Sequence, residues 1–131
     1  IWLDRNLGAS QVCASSTDSA CYGDLHQWGR NDDGHESRTS STDGTQLAGI
    51  STVSVNFITG SSDWTTADAN MSDGVWGVLR TAAWADGGAN DICPAGFSVP
   101  TDAELIADTI SAATIDITDS AAAFSSFLKI L

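Results

Sequence analysis

Cysteines, clustered carboxylates and tryptophans are the side chains of this sequence that stand at spacings able to do chemistry. Cys13 and Cys21 flank a polar loop, residues 14–20, short enough to close through a local disulfide in an oxidising compartment. Three cysteines is an odd number, so Cys93 is left over, and a buried free thiol is one reading of it. The run Asp86-Gly87-Gly88-Ala89-Asn90-Asp91 carries oxygen-bearing side chains at Asp86, Asn90 and Asp91. Its glycines let backbone carbonyls converge, which is the chemistry calcium needs. Asp63, Asp68, Asn70 and Asp73 form a second cluster. Neither spacing is that of an EF-hand loop, and the same residues make Asx turns with no metal at all.

Trp64 and Trp76 lie among Gly, Asp and Asn. An exposed indole there can stack on a sugar or a peptide side chain, and core anchoring is the alternative. The search for catalytic motifs is negative. The sequence has no Gly-x-Ser-x-Gly, no phosphate-cradling glycine loop, no His-Glu-x-x-His and no Cys-x-x-Cys. His26 and His35 are its two histidines; neither has metal spacing to the cysteines, and each reads as an exposed loop residue.

The elements that must position these residues are short. Ile1 to Leu7 alternates in a strand pattern that Gly8 ends. Tyr22 to Trp28 fits helix or strand, and residues 30–46 form a long polar loop. Thr52 to Thr59 reads as a short strand through Val53, Val55 and Phe57, and residues 60–91 as loop. Thr101-Asp102-Ala103-Glu104 is a capping box, which predicts a helix over about 101–109 with Leu105 and Ile106 inward. A second helix fits 119–130.

At 131 residues the chain makes one domain, 1–131, and its 42% hydrophobic content with five Trp and four Phe is enough for a packed core. Formal net charge is −12, with Glu36 and Glu104 the only glutamates, so the acidity is almost all Asp. Such a charge repels nucleic acid and anionic membrane surfaces. No apolar run is long enough for membrane insertion. Ile1-Trp2-Leu3 reads as a strand start rather than a leader, so the chain is expected to begin inside a larger product or after processing.

Three blocks carry a family resemblance. They are Trp2-Leu3-Asp4-Arg5-Asn6-Leu7-Gly8, then Tyr22-Gly23-Asp24-Leu25-His26-Gln27-Trp28-Gly29-Arg30, and Cys93-Pro94-Ala95-Gly96-Phe97-Ser98-Val99-Pro100-Thr101-Asp102-Ala103-Glu104-Leu105. Together they resemble the Fibrobacter succinogenes major paralogous domain, a bacterial module related to C-type lectin-like domains. The resemblance covers the first two-thirds of such a domain, so it implies an incomplete one. It implies an α+β, C-type lectin-like fold: a few antiparallel strands, one or two helices and long irregular loops. Trp2, Trp28 and Trp84 stand beside motif positions, which implies core roles. A further family cysteine, beyond this chain, would be the partner of Cys93. Val99 to Glu104 is also similar to a structural segment of the formylglycine-generating enzymes, whose reactive cysteines lie in a part of the domain that has no counterpart here.

The function these readings imply is non-enzymatic. It is a module binding carbohydrate or peptide on a large secreted or cell-surface bacterial protein, such as an adhesin. A structural subunit or spacer of an extracellular filament, contacting neighbouring protein chains, is the second reading.

Overall fold

The structure is a computed structural model that describes residues 1–60, 63–67, 77–109, 117 and 119–125. They belong to two compact units, one of residues 1–24 with 100–131 and one of residues 25–99. Regular elements are few and short. In the first unit a 3-10 turn, Ser19–Cys21, lies in the loop closed by the Cys13–Cys21 disulfide, whose Cα atoms are 4.9 Å apart. Asp18 caps that turn through its carboxylate.

Residues 1–7 form no strand. Their polar groups find partners outside any ladder. The Asn6 amide donates to the Cys21 carbonyl, the Leu7 carbonyl accepts from the Asp24 N–H, and the Trp2 indole donates to Asp108 at 2.5 Å. Alternation along a chain gives a strand only where a neighbour supplies a ladder, and here side chains and turns take the backbone instead. Tyr22 to Trp28, open between helix and strand in the sequence, is neither.

The helix predicted over 101–109 is present as Asp102–Thr109. The capping box is complete: the Glu104 N–H donates to Thr101 Oγ1 at 3.3 Å, and the Thr101 N–H donates to Glu104 Oε2 at 2.9 Å. Leu105 and Ile106 are exposed, contrary to the inward orientation expected of them. Asp108 is one anchor of this helix, through the Trp2 indole. A last helix runs Ser120–Ser125, with Asp119 Oδ1 accepting from the Ala122 N–H. The remainder of the predicted 119–130 helix lies outside the described residues.

The second unit holds a two-stranded sheet, β1 Thr42–Asp43 and β2 Phe57–Ile58, in register Thr42 to Phe57 and Asp43 to Ile58. The mixture of helix and strand is α+β, but the pair is parallel, which corrects the antiparallel expectation. The connection, residues 44–56, has the length of about a dozen residues that a parallel return needs. Beyond the pair the two backbones meet at Gly44 and Gly60, where a Cβ on Gly60 would stand 1.9 Å from the Gly44 carbonyl oxygen.

The strand predicted over Thr52 to Thr59 shrinks to two residues for a visible reason. Arg30 takes the carbonyls of Ser54 and Asn56, and Asp33 takes the Ser54 N–H. A helix that the sequence pattern did not show, α1, spans Val78–Ala83. Its buried residues are Arg80 and Ala83, while Val78 and Leu79 are exposed. Apolar periodicity therefore points the wrong way for this helix.

Candidate functional site

The second unit is organised around Gln27-Trp28-Gly29-Arg30. Every carbonyl of this segment is occupied. Gln27 accepts from the Arg30 N–H, Trp28 from the Trp64 indole, Gly29 from the Asn90 amide and Arg30 from the Trp84 indole. Gly29 holds a left-handed φ of 79°, and a Cβ there would meet Arg80 Cβ at 2.5 Å, so the turn requires glycine.

Arg30 is fully buried, and all five of its donors are used. Nε and Nη2 donate to Asp33 Oδ2, Nη1 to Gln27 Oε1 and the Asn56 carbonyl, and Nη2 also to the Ser54 carbonyl. A buried guanidinium is tolerated only when paired and hydrogen-bonded in this way. Gln27 completes the frame: its side-chain amide donates to the Ile58 carbonyl at 2.9 Å and accepts from the Ile58 N–H at 3.0 Å, docking on β2 as a strand would.

A second buried pair lies beside the first. Arg80 meets Asp63 through two parallel hydrogen bonds of 2.6 Å, and donates to the Ala67 carbonyl. Both guanidiniums lie 5.6 Å from the Trp64 ring centroid, and that of Arg80 lies 5.6 Å from the Trp28 ring. Cations and indoles thus alternate through the interior, an arrangement favoured by the ring quadrupole away from water.

Asp33 links this frame to His35. The Nδ1 of His35 is 2.7 Å from Asp33 Oδ1, and Nε2 accepts from the Gln27 N–H at 3.1 Å. Burial pushes the Asp33 carboxyl up, but hydrogen bonds from Ser54 and His35 and the Arg30 charge hold it below the ordinary carboxylate value. Burial lowers the His35 imidazole, against the pull of Asp33. Burial likewise raises Asp63, yet the hydrogen bonds and charge of Arg80 win and keep it low. Oxygen and nitrogen atoms of Asp33, His35 and Glu36 lie within 4.8 Å of one another. Hydrogen bonds within the protein already account for this cluster: Asp33 and His35 bond each other, and Glu36 accepts from the Gly34 N–H.

The residues singled out in the sequence fall in different places. Trp64 is 3% exposed and belongs to the core. Trp76, Asp68, Asn70 and Asp73 lie outside the described residues. Asp86 is exposed, whereas Asn90 is buried and its amide reaches Gly29 and Ile50. Asp91 accepts from the Gly87 and Cys93 N–H groups, which closes its own loop. Cys13 and Cys21 are bridged, and Cys93 is a free thiol. Burial and the charges of Asp91 and Asp32 push that thiol up, away from reactive thiolate. His35 is fully buried rather than exposed.

Trp28, one of the three tryptophans for which the resemblance implies a core role, is 41% exposed. Its carbonyl and the Arg80 contact fix it to the frame, so it presents an indole on a rigid support. Leu25 and Leu79, also in the second unit, are exposed as well. Trp28 meets Arg80, a residue distant in sequence, and no local pattern announces that contact. No protein-family model matches the chain, and no characterised protein or solved structure matches it. The family resemblance therefore rests on the quoted residues alone.

Proposed function

We propose that the chain is a non-catalytic binding module with a C-type lectin-like ancestry, working outside the cell, and that Trp28 is the aromatic contact for a carbohydrate or peptide ligand. The observation that carries this reading is the exposed, braced indole of Trp28 over a frame that immobilises the loops around it. A rigid aromatic offers large contact area at low entropic cost, and tryptophans dominate binding energies where they occur. The groups with most chemical capacity, Arg30, Asp33, His35, Asp63 and Arg80, are engaged with one another instead. The Cys13–Cys21 bridge supports an oxidising compartment. Among the described residues no helix is long and apolar enough to cross a membrane. Calcium is not required by this reading, because the Trp28 contact uses none of Asp86, Asn90 and Asp91.

A second reading, a structural unit packing against neighbouring chains, is favoured by Val53 and Val55, which are 71% and 64% exposed. Glycan and peptide arrays probed with the wild type and with Trp28→Ala separate the two. The binding reading expects saturable capture by the wild type and at least about tenfold weaker capture by the variant, with unchanged circular dichroism. No capture by the wild type, together with concentration-dependent assembly that Val53→Asp abolishes, would replace it with the structural reading.

A further inference from the structure

His35 makes no ligand contact in the binding proposal, yet its fully buried imidazole is bonded at both ring nitrogens. A neutral imidazole carries one donor and one acceptor. Asp33 Oδ1 offers His35 an acceptor at Nδ1, and the Gln27 N–H offers a donor at Nε2. The proton is thereby fixed on Nδ1. A second proton would sit on Nε2 and point at the Gln27 N–H, donor against donor, in a site with no exposure to water.

We propose that His35 is an acid-sensitive latch: a proton taken from solvent at Nε2 breaks its bond to the Gln27 backbone and releases the Gln27–Arg30 segment from the frame. Charges of both signs face the imidazole. Asp33 and Glu36, the latter 3.5 Å from Nδ1, favour the charged ring. The Arg30 charge opposes it. His26 meets it edge-on at 6.4 Å, and from β2 it faces the Phe57 ring, which is uncharged. Both carboxylates approach Nδ1, so neither can accept from a protonated Nε2. Release would spread, because Gln27 also docks on Ile58 and the next three carbonyls hold Trp64, Asn90 and Trp84.

Burial places the folded imidazole below its ordinary value of 6.5. The folded state then binds fewer protons than the unfolded one on acidification. Stability is full above that ordinary value, falls as pH drops through it, and levels off only below the folded value.

The test is thermal melting of the whole chain between neutral and mildly acidic pH, for wild type, His35→Gln and His26→Gln. Glutamine keeps a donor and an acceptor without titrating. The latch predicts a melting temperature that falls on acidification in the wild type and in His26→Gln, and a flat profile in His35→Gln. The same fall in His35→Gln, or its loss in His26→Gln, overturns it. Should His35→Gln fail to fold, nuclear magnetic resonance on the wild type decides. The latch requires the Nδ1–H tautomer at neutral pH, and a Gln27 amide that exchanges about tenfold faster, beyond the intrinsic pH effect, once His35 titrates. An Nε2–H tautomer, or Gln27 exchange that follows the intrinsic rate alone, overturns it.

Discussion

At the residue scale, a few buried charges determine what the second unit can be. Arg30 gives its five donors to four acceptor atoms, with Asp33 Oδ2 taking two, so its replacement leaves carbonyls and a carboxylate without partners in the interior. Arg30→Met is expected to destabilise by roughly 3–5 kcal/mol in chemical denaturation, the usual cost of breaking a buried pair from one side. A loss below about 1 kcal/mol would show that Asp33 finds solvent instead. Acid titration supplies a second check. Asp33 and Asp63 are held below the ordinary carboxylate value of 3.8, so their stabilisation is present above it and is lost as pH falls through their folded values. Asp33→Asn and Asp63→Asn should each flatten that low-pH decline, and an unchanged decline in both would deny these carboxylates that role. Little of this was legible in the sequence. Arg30, Asp33 and His35 stand in the most polar stretch of the chain and read as solvated. Ser54 and Asn56, the partners of Arg30 and Asp33, are distant in sequence, and no local pattern announces such pairings.

Elements were legible where their determinants are local. The Thr101–Glu104 box marks its helix, because a cap needs only residues three apart. Thr101→Ala is expected to cost about 0.5–2 kcal/mol, read as a shifted urea midpoint, and an unchanged midpoint would deny the cap any weight. The Cys13–Cys21 closure was equally local. Thiol counting under denaturing, non-reducing conditions should find one reactive cysteine, Cys93, and opening the bridge by a Cys13→Ala, Cys21→Ala pair should cost roughly 2–3 kcal/mol in the chain-entropy account. Three reactive thiols would refute the pairing. Elements that depend on distant partners were misread. The alternation over residues 1–7 found no ladder, and that over 52–59 was cut short by Arg30 and Asp33. Helix α1 stayed hidden because its buried face carries Arg80 while Val78 and Leu79 are exposed. Trp28, expected in the core, is exposed instead, while Trp64 takes the core place that stood open to it; both indoles lie beside buried guanidiniums.

At the scale of the whole molecule, the α+β class is what the family resemblance implies, and the mixture of helix and strand agrees with it, but the strand pair is parallel rather than antiparallel. With strands of two residues, the second unit is held by side chains that take backbone groups, in place of extended ladders. The net charge is −12, and two of the five Lys and Arg side chains, Arg30 and Arg80, are buried, so the chain repels anions. Anionic ligands are therefore expected to bind least in the array experiment, and capture confined to them would argue against Trp28 as the contact. The central claim is that side-chain acceptors are the frame. It is tested most directly by native-state amide exchange at neutral pH, followed at Gln27, Ser54 and Ile58, whose N–H groups donate to His35, Asp33 and Gln27 side chains. The account predicts that these three amides open together, with one free energy equal to that of global unfolding of the second unit. Exchange at three unrelated rates, or close to that of an unprotected peptide, would contradict it.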